Sequence, residues 1–455
     1  MKRPMLKLCG IVTVVGLFAM ACGSSSKSSS SDTSSTSSSS SSGSKSASDL
    51  TKNDPLTGPA GTGKTRGITD TAIKVGCEFS RAQFVGADDG YKARFERANR
   101  DKELGDRKIV FSACQDDASN TQNNLAIAKR LVEQDGNFAI MSISASQLPG
   151  TTDYLTQQEV PYYGWGFLPG FCAHRWGYGF NGCLIANYSA DQKHVVLQAA
   201  LSDPVMKAAN LQPKDVRVAI QSGEDDSGKI AKGGYQQLWT LRGATVVYNE
   251  ANMPVPGPPA DFSPFVSAVM KGNPNIVITS TNFQSFAGFT AAVAAAGFKG
   301  VNANFVGYVP GLLQSSQGAP LAAALEGAYV VTQTVPQEEQ TEYIKQFEKD
   351  LEAINAPAGK LITLSASIGY AQAEMFVEQL KAVGKDLNTK TFDEKVNGGD
   401  FTAYKTALAG GPGKMDFPSG HFIPADCAAV LKVEAKQYKM SVPFACYESP
   451  VVKGA

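Results

Sequence analysis

Segments with strand character alternate with segments of helix character twice along this chain, and that double alternation most limits its fold. In the first set, 73–77 (Ile73-Lys74-Val75-Gly76-Cys77) reads as a strand and 91–100 as a helix. A strand over 108–113 follows, then an amphipathic helix over 120–134 with Leu125, Ala128, Leu131 and Val132 on one face, then strands over 138–143 and 160–163. The pattern restarts after a stretch rich in glycine and aromatic residues near Phe180. There 216–220, 245–248 and 275–279 read as strands, and 228–241, 262–270 and 285–296 as helices. Strand alternating with helix at this spacing predicts parallel sheets covered on both faces, and two sets predict two α/β lobes. A long helix is expected over 364–383, and short strands and turns from Phe417 onward.

The first fifty residues set the compartment. Met1-Lys2-Arg3 and Lys7 give a positive start, and the apolar stretch 8–21 is too short to span a bilayer comfortably. It closes on Phe18-Ala19-Met20-Ala21-Cys22 and runs into a nearly all-serine segment. Residues 1–21 therefore read as an export signal whose removal leaves Cys22 as the new N-terminus. The closing residues resemble the lipobox of bacterial lipoproteins, in which that cysteine carries lipid, although Ala19 stands where leucine is usual. The alternative is an ordinary secretory signal with Cys22 a free thiol. Either way the body works outside the cytoplasm. The serine segment cannot bury a core. Residues 22–66 are expected to form a disordered tether, with a coil dimension of roughly 35–40 Å.

Lys plus Arg and Asp plus Glu are equal at 42 each, and no basic run favours nucleic acid or a phospholipid surface. Attachment to a membrane is thus expected only through Cys22. The body holds Cys77, Cys114, Cys172, Cys183, Cys427 and Cys446, an even set that favours disulfides in an exported protein. Cys172–Cys183 and Cys427–Cys446 suit local staples and Cys77–Cys114 a link between neighbouring strands. Buried free thiols compete with that reading, and sequence leaves the pairing open. No metal or cofactor is expected, since no CxxC spacing occurs and His174, His194 and His421 lie far apart. Gly58-Pro59-Ala60-Gly61-Thr62-Gly63-Lys64-Thr65 fits the phosphate-loop pattern GxxxxGK[ST]. That loop needs a strand before it and a helix after it, and neither flank reads so.

An ordered series of segments resembles the branched-chain amino-acid type of periplasmic binding protein, type I fold. It begins with Gly67-Ile68-Thr69-Asp70-Thr71-Ala72-Ile73-Lys74-Val75-Gly76. Gly105-Asp106-Arg107-Lys108-Ile109, Asp116-Asp117, residues 128–135, Phe138-Ala139-Ile140 and Ala294-Ala295-Ala296-Gly297-Phe298 follow in order. The resemblance implies two doubly wound lobes joined by a hinge, closing on a small solute, with an ABC permease and ATPase as partners. It implies ligand contacts from Ser144, Ala145 and Ser146 after the third strand, which in the family hold a carboxylate, and from Gly164, Trp165 and Gly166 after the fourth. In the second lobe the matching loops place Asp226 and Ser227, Asn282 and Phe283, and Tyr308 and Val309; Phe84 is a weaker candidate. Each has a structural alternative: a helix cap for the serines, a solvated turn for Asp225 and Asp226, core packing for Trp165, Phe283 and Tyr308.

Amino-acid binders of this family carry an acidic residue near position 309 to pair the ligand ammonium, and this chain has Val309. A buried ammonium without a carboxylate is costly. The expected ligand is therefore a carboxylate, amide or aromatic solute rather than a plain α-amino acid. The expected division is 67–186 plus about 333–417 for the first lobe, and 187–332 plus about 418–455 for the second. An enzyme is disfavoured by the lack of a GxSxG elbow, an HExxH motif or a spaced His/Cys/carboxylate cluster. A ligand-sensing surface receptor of the same fold is the alternative to a lipid-anchored transport receptor on the outer face of the membrane.

Overall fold

The computed structural model describes residues 55–144, 146–147, 149–184, 202, 204–207, 209–255, 257–304, 307–310, 313, 319–356, 363–405, 411–425 and 427–446. In chain order the elements begin β1 (Ala72–Phe79), α1 (Ala87–Arg100), β2 (Lys108–Phe111), β3 (Gln115–Asp116), α2 (Thr121–Glu133), β4 (Ala139–Ile143), α3 (Pro149–Gln157), β5 (Tyr162–Gly164) and β6 (Gly177–Gly179). The second set is β7 (Arg217–Gly223), α4 (Asp226–Leu241), β8 (Thr245–Met253), α5 (Ser263–Lys271), β9 (Ile276–Ser280), α6 (Phe283–Ala295), β10 (Val301–Asn304), α7 (Ala319–Ala324) and β11 (Tyr329–Thr332). Then come α8 (Glu342–Ala353), α9 (Leu364–Val383), α10 (Thr389–Val396), β12 (Phe401–Ala403), β13 (Met415–Phe417), β14 (Cys427–Glu434) and β15 (Gln437–Cys446).

Two sheets result. The first runs β2-β1-β4-β5-β6, with β3 also on β1, and its pairings are parallel. The second runs β15-β14-β11-β10-β9-β7-β8, parallel from β11 to β8. The central strands β4 and β9 are almost wholly apolar and buried, as parallel strands covered on both faces must be. The doubly wound α/β architecture in two lobes expected from the alternation is the one observed. The tail differs from expectation. In place of short strands and turns, β14 and β15 form an eight- and ten-residue antiparallel hairpin that extends the second sheet. Strand β14 is buried on both faces, with Val430 on one and Leu431 and Val433 on the other, while β15 at the sheet edge is half-buried or exposed apart from Tyr438.

The chain passes between the sheets after β6, again after β11, and again between β13 and β14. The three passes touch at Asn181. Its side-chain amide N–H donates to Gln333 Oε1 on the second pass, and its carbonyl accepts from Ala425 N at 2.8 Å on the third.

Helix α9 packs on α1 through close backbone contact, since a Cβ at Gly90 would overlap the Ala366 carbonyl and one at Gly369 the Ala87 carbonyl. Beside that contact Arg94, Arg97 and Arg100, spaced three apart on α1, face Glu103, Asp350 of α8 and Glu374 of α9. The network ties the helices that follow the second pass back onto the first lobe.

Disulfides join Cys77 to Cys114, Cys172 to Cys183 and Cys427 to Cys446. The last links paired residues at the open end of the hairpin. No described helix is long and apolar enough to cross a membrane. Cys22 and residues 1–54 lie outside the described residues.

Residues 55–66, assigned from sequence to the tether, are instead docked on the first lobe. Thr57 N donates to Ala173 O at 2.7 Å, and Trp176 Nε1 to Pro59 O at 3.0 Å. The phosphate-loop-like segment turns its donors onto the protein's own carboxylate. Thr62 N reaches Glu159 Oε2 at 2.8 Å and Lys64 Nζ reaches Glu159 Oε1 at 3.0 Å, while Gly61 N binds Asp393 and Gly63 N and Lys64 N bind Thr389 Oγ1. Among the described residues no buried strand precedes the segment and no helix follows it, and its donors are spent on Glu159, Asp393 and Thr389. A single sequence hides this dock, because the acceptors lie about a hundred or more positions away.

Burial pushes Glu159 upward, but hydrogen bonds from Thr389, Thr62 and Lys64 outweigh it and hold the carboxyl at about 2, against 4.5 when unfolded. A depressed carboxyl contributes stability that is complete above the unfolded value and is lost as pH falls toward the folded one. Glu159→Gln should lower stability at pH 7 by about 1–3 kcal/mol and flatten the decline between pH 4.5 and 2. His421, held neutral near 3 chiefly by burial against an unfolded 6.5, adds a decline beginning higher. The difference between wild type and variant in denaturant titrations across this range isolates the Glu159 share. Parallel curves from pH 6 to 2 would contradict it.

Candidate functional site

In open α/β sheets the crevice lies beyond the carboxyl ends of the strands. In the first lobe β3, β1 and β4 are in register at Asp116, Phe79 and Ile143. The next residue of each strand (Asp117, Ser80 and Ser144) therefore emerges at one spot. Asp117 receives Ser80 Oγ at 2.8 Å, Ser119 N at 2.8 Å, Asn124 Nδ2 at 3.0 Å and the Ser144 hydroxyl. Ser144 Oγ in turn accepts Ser146 N at 2.9 Å and lies 3.0 Å from Ser80 Oγ. No cation pairs with Asp117 among the described residues. Beneath it Glu78 is fully buried; burial and the Asp117 charge push its carboxyl well above the usual range, against hydrogen bonds from Ser142 and Asn124. Gln147, 1% exposed, has both amide atoms buried without a hydrogen-bond partner among the described residues.

After β5, Trp165 lies edge-on to Phe84 and Phe167, with ring centroids 6.4 and 4.8 Å away, and near Phe180. Its Nε1–H donates to Gln333 Oε1 at 2.9 Å, the oxygen that also receives Asn181. One side of the indole is thus fixed to the contact between the passes. The flanking glycines are there for packing: a Cβ at Gly164 would enter the Phe171 ring and one at Gly166 the Gly182 carbonyl.

In the second lobe, Asp226 and Ser227 open α4, with Asp225 capping it through Gly228 N at 2.9 Å. The side chains of Asp226 and Ser227 lie outside the described ones. Asn282 caps α6 by accepting Ser285 N at 2.9 Å, and Phe283 packs buried in its first turn. Tyr308 donates to Glu338 at 2.6 Å, accepts Gln337 N at 2.7 Å and packs against Tyr438 at 5.1 Å. The hydroxyls of Ser222, Thr281 and Ser285, at the ends of β7 and β9 and the start of α6, are buried with no partner among the described residues.

A model of the periplasmic binding protein family matches residues 79–438. The chain belongs to that family. No curated protein matches the sequence significantly. Among solved structures, the fatty acid ABC transporter substrate-binding protein from Thermomonospora curvata is similar at 16% identity, covering 86% of this chain and 96% of that one with a TM-score of 0.68. The R. palustris ABC transporter solute-binding protein in complex with 4-hydroxybenzoate is 15% identical, covering 83% and 98%, with a TM-score of 0.62. A leucine-binding protein from Thermotoga maritima is 15% identical, covering 81% and 98%, with a TM-score of 0.63. At these identities the likeness is one of fold.

In this periplasmic binding protein the structure brings Ser144, Ser146, Trp165 and Phe84 to the strand ends of the first lobe, and Ala145 lies outside the described residues. Val309 gives its backbone N–H to Tyr438. Ser144, Asn282 and Tyr308 already spend polar atoms on other protein groups: Ser144 on Asp117 and Ser146, Asn282 on Ser285, and Tyr308 on Glu338 and Gln337. Gln147, Ser222, Thr281 and Ser285 hold the unspent ones, and sequence reasoning missed them. Their signal is a buried polar atom without a partner, which exists only in three dimensions. Of the histidines, His421 lies between Gly177 O and Asn397 Oδ1, His174 Nδ1 lies 3.3 Å from Thr156 Oγ1, and His194 lies outside the described residues. Among the described residues no group of three His, Cys, Asp or Glu is placed to hold a metal.

Proposed function

We propose that this periplasmic binding protein captures a small organic solute between its lobes outside the cytoplasm and delivers it to an ABC permease and its ATPase. Membership of the family carries this reading, and the unspent buried polar atoms at strand ends of both lobes support it, because a ligand is what such atoms lack. On this reading the chain is lipidated at Cys22 and held to the outer face of the membrane. The serine segment and the sequence up to residue 54 are the tether. The lobes divide at 67–186 plus about 333–417 and 187–332 plus about 418–455.

The solute is a carboxylate, amide or aromatic compound rather than a plain α-amino acid. Phe84, Trp165 and Phe167 supply an aromatic wall, and the loop at Tyr308 and Val309 supplies no carboxylate of its own. Proteins of this fold include one in complex with 4-hydroxybenzoate, a fatty acid substrate-binding protein and a leucine-binding protein, so the fold leaves the solute open. Thermal melting of the mature chain against amino acids, carboxylates, amides and aromatic metabolites tests the reading. Stabilisation by one non-amino-acid class is expected, and micromolar binding of leucine would remove the assignment of solute class.

A further inference from the structure

The resemblance assigns the loop after β4 to a ligand carboxylate, but the hydrogen atoms there are already committed. An ionised aspartate only accepts, so each of its four partners must donate. A serine hydroxyl has one hydrogen. Ser144 and Ser80 both give theirs to Asp117. Ser144 can therefore offer a ligand a lone pair and no hydrogen. An anion at Ser144 would also sit close to the Asp117 charge, which no cation neutralises among the described residues. In a closed, dry cleft that repulsion is weakly screened. Three positions further on, Gln147 has an unspent carbonyl oxygen and amide, both buried. The same loop therefore offers two acceptors, Ser144 Oγ and Gln147 Oε1, and one amide donor, Gln147 Nε2, a set that matches a carboxamide, beside a carboxylate that no cation pairs among the described residues.

We propose that Ser144 and Gln147 receive the N–H of a solute carboxamide, and that Asp117 excludes a carboxylate from this end of the cleft. This rests on the solute-capture reading and narrows it. Ser144 and Gln147 contact the ligand; Asp117 is a positioning residue that fixes which way the Ser144 hydrogen points.

The test is a set of matched triplets differing only in head group, titrated into the mature protein: benzoate, benzamide and benzylamine, then hexanoate, hexanamide and hexylamine. The amide of a responding triplet should bind at least tenfold more tightly than its carboxylate and its amine. Gln147→Ala should cost at least tenfold in that affinity on protein confirmed folded; it breaks no hydrogen bond among the described residues, and Gln147→Leu, which keeps the packing and drops the amide, should lose affinity to the same degree. Asp117→Asn, if folded by circular dichroism, should shift the preference toward the carboxylate at least tenfold. Unfolding of that variant leaves the decision to Gln147→Ala and the triplet ranking. A wild-type preference for the carboxylate or the amine, or full affinity in Gln147→Ala, overturns this assignment alone. A panel in which no triplet binds overturns the solute-capture reading as well.

Discussion

Replacing Arg94 by alanine is expected to lower the unfolding free energy by about 3–5 kcal/mol, the cost of leaving partners of a buried ion network uncompensated. The Arg94 side chain is 1% exposed. Its two terminal nitrogens bind both oxygens of Glu103 at 2.8 and 2.9 Å, and its Nε–H binds Glu374. Arg97 shares Glu374 at 2.7 Å and reaches Asp350 at 3.3 Å, where Tyr370 also donates at 2.8 Å. Without Arg94, Glu374 keeps only Arg97, and Glu103 keeps Arg97 and Lys381 at 3.7 and 3.3 Å. Both carboxylates are then under-neutralised inside the packing of α1 against α8 and α9. The guanidinium charge is only part of the loss, because its stem also fills space beside the close helix contact. Removing both members at once, as Arg94→Met with Glu374→Leu, should cost clearly less than Arg94→Ala, since no orphan charge stays at Glu374. Denaturant midpoints decide: a loss under 1 kcal/mol for Arg94→Ala would show that the network is solvated and carries little.

Trp165→Ala is expected to weaken solute binding by about 30-fold or more, at least 2 kcal/mol, as loss of a central aromatic anchor does. The indole is held edge-on by Phe84 and Phe167 and pinned through Nε1 to Gln333, so it is ordered before any ligand arrives. Pre-ordering removes part of the entropic cost of binding. Since a large buried side chain is lost, the variant also unfolds earlier, by up to about 3–5 kcal/mol. Binding is therefore measured at low temperature on protein confirmed folded. Trp165→Phe is the control: it keeps a ring in the cluster and removes only the bond to Gln333. It should retain most of the affinity. Equal binding by the folded alanine variant and wild type would place the solute elsewhere.

The fold was legible where periodicity was strong and local. The spacing of Leu125, Ala128, Leu131 and Val132 showed α2, and the uninterrupted apolar runs showed β4 and β9. The strands β6, β10 and β11 escaped because three or four residues carry too little pattern. The hairpin β14–β15 escaped because its alternation is interrupted by register shifts near Ala428 and Val430. The dock of residues 55–66 was unreadable for a different reason, since it depends on Glu159, Thr389 and Asp393, remote in sequence. At the site, the loops were legible but the atoms were not. Ser144 was found as a residue type at a strand end, yet the direction of its hydrogen is set by Asp117 on a neighbouring strand. Gln147 carries no signal in the sequence, and only its burial without a partner among the described residues marks it.

The most direct measurement of the central claim is a calorimetric titration of the mature chain with the solute that most raises its melting temperature. A solute at about 100 times its dissociation constant adds roughly 2.7 kcal/mol, so the screen that selects it is sensitive. One saturable site per chain, with the solute recovered unchanged and the affinity lowered about 30-fold or more in folded Trp165→Ala, is the predicted result. Conversion of the solute to a product, or saturable binding unaltered by loss of Trp165, would contradict capture of a solute between the lobes.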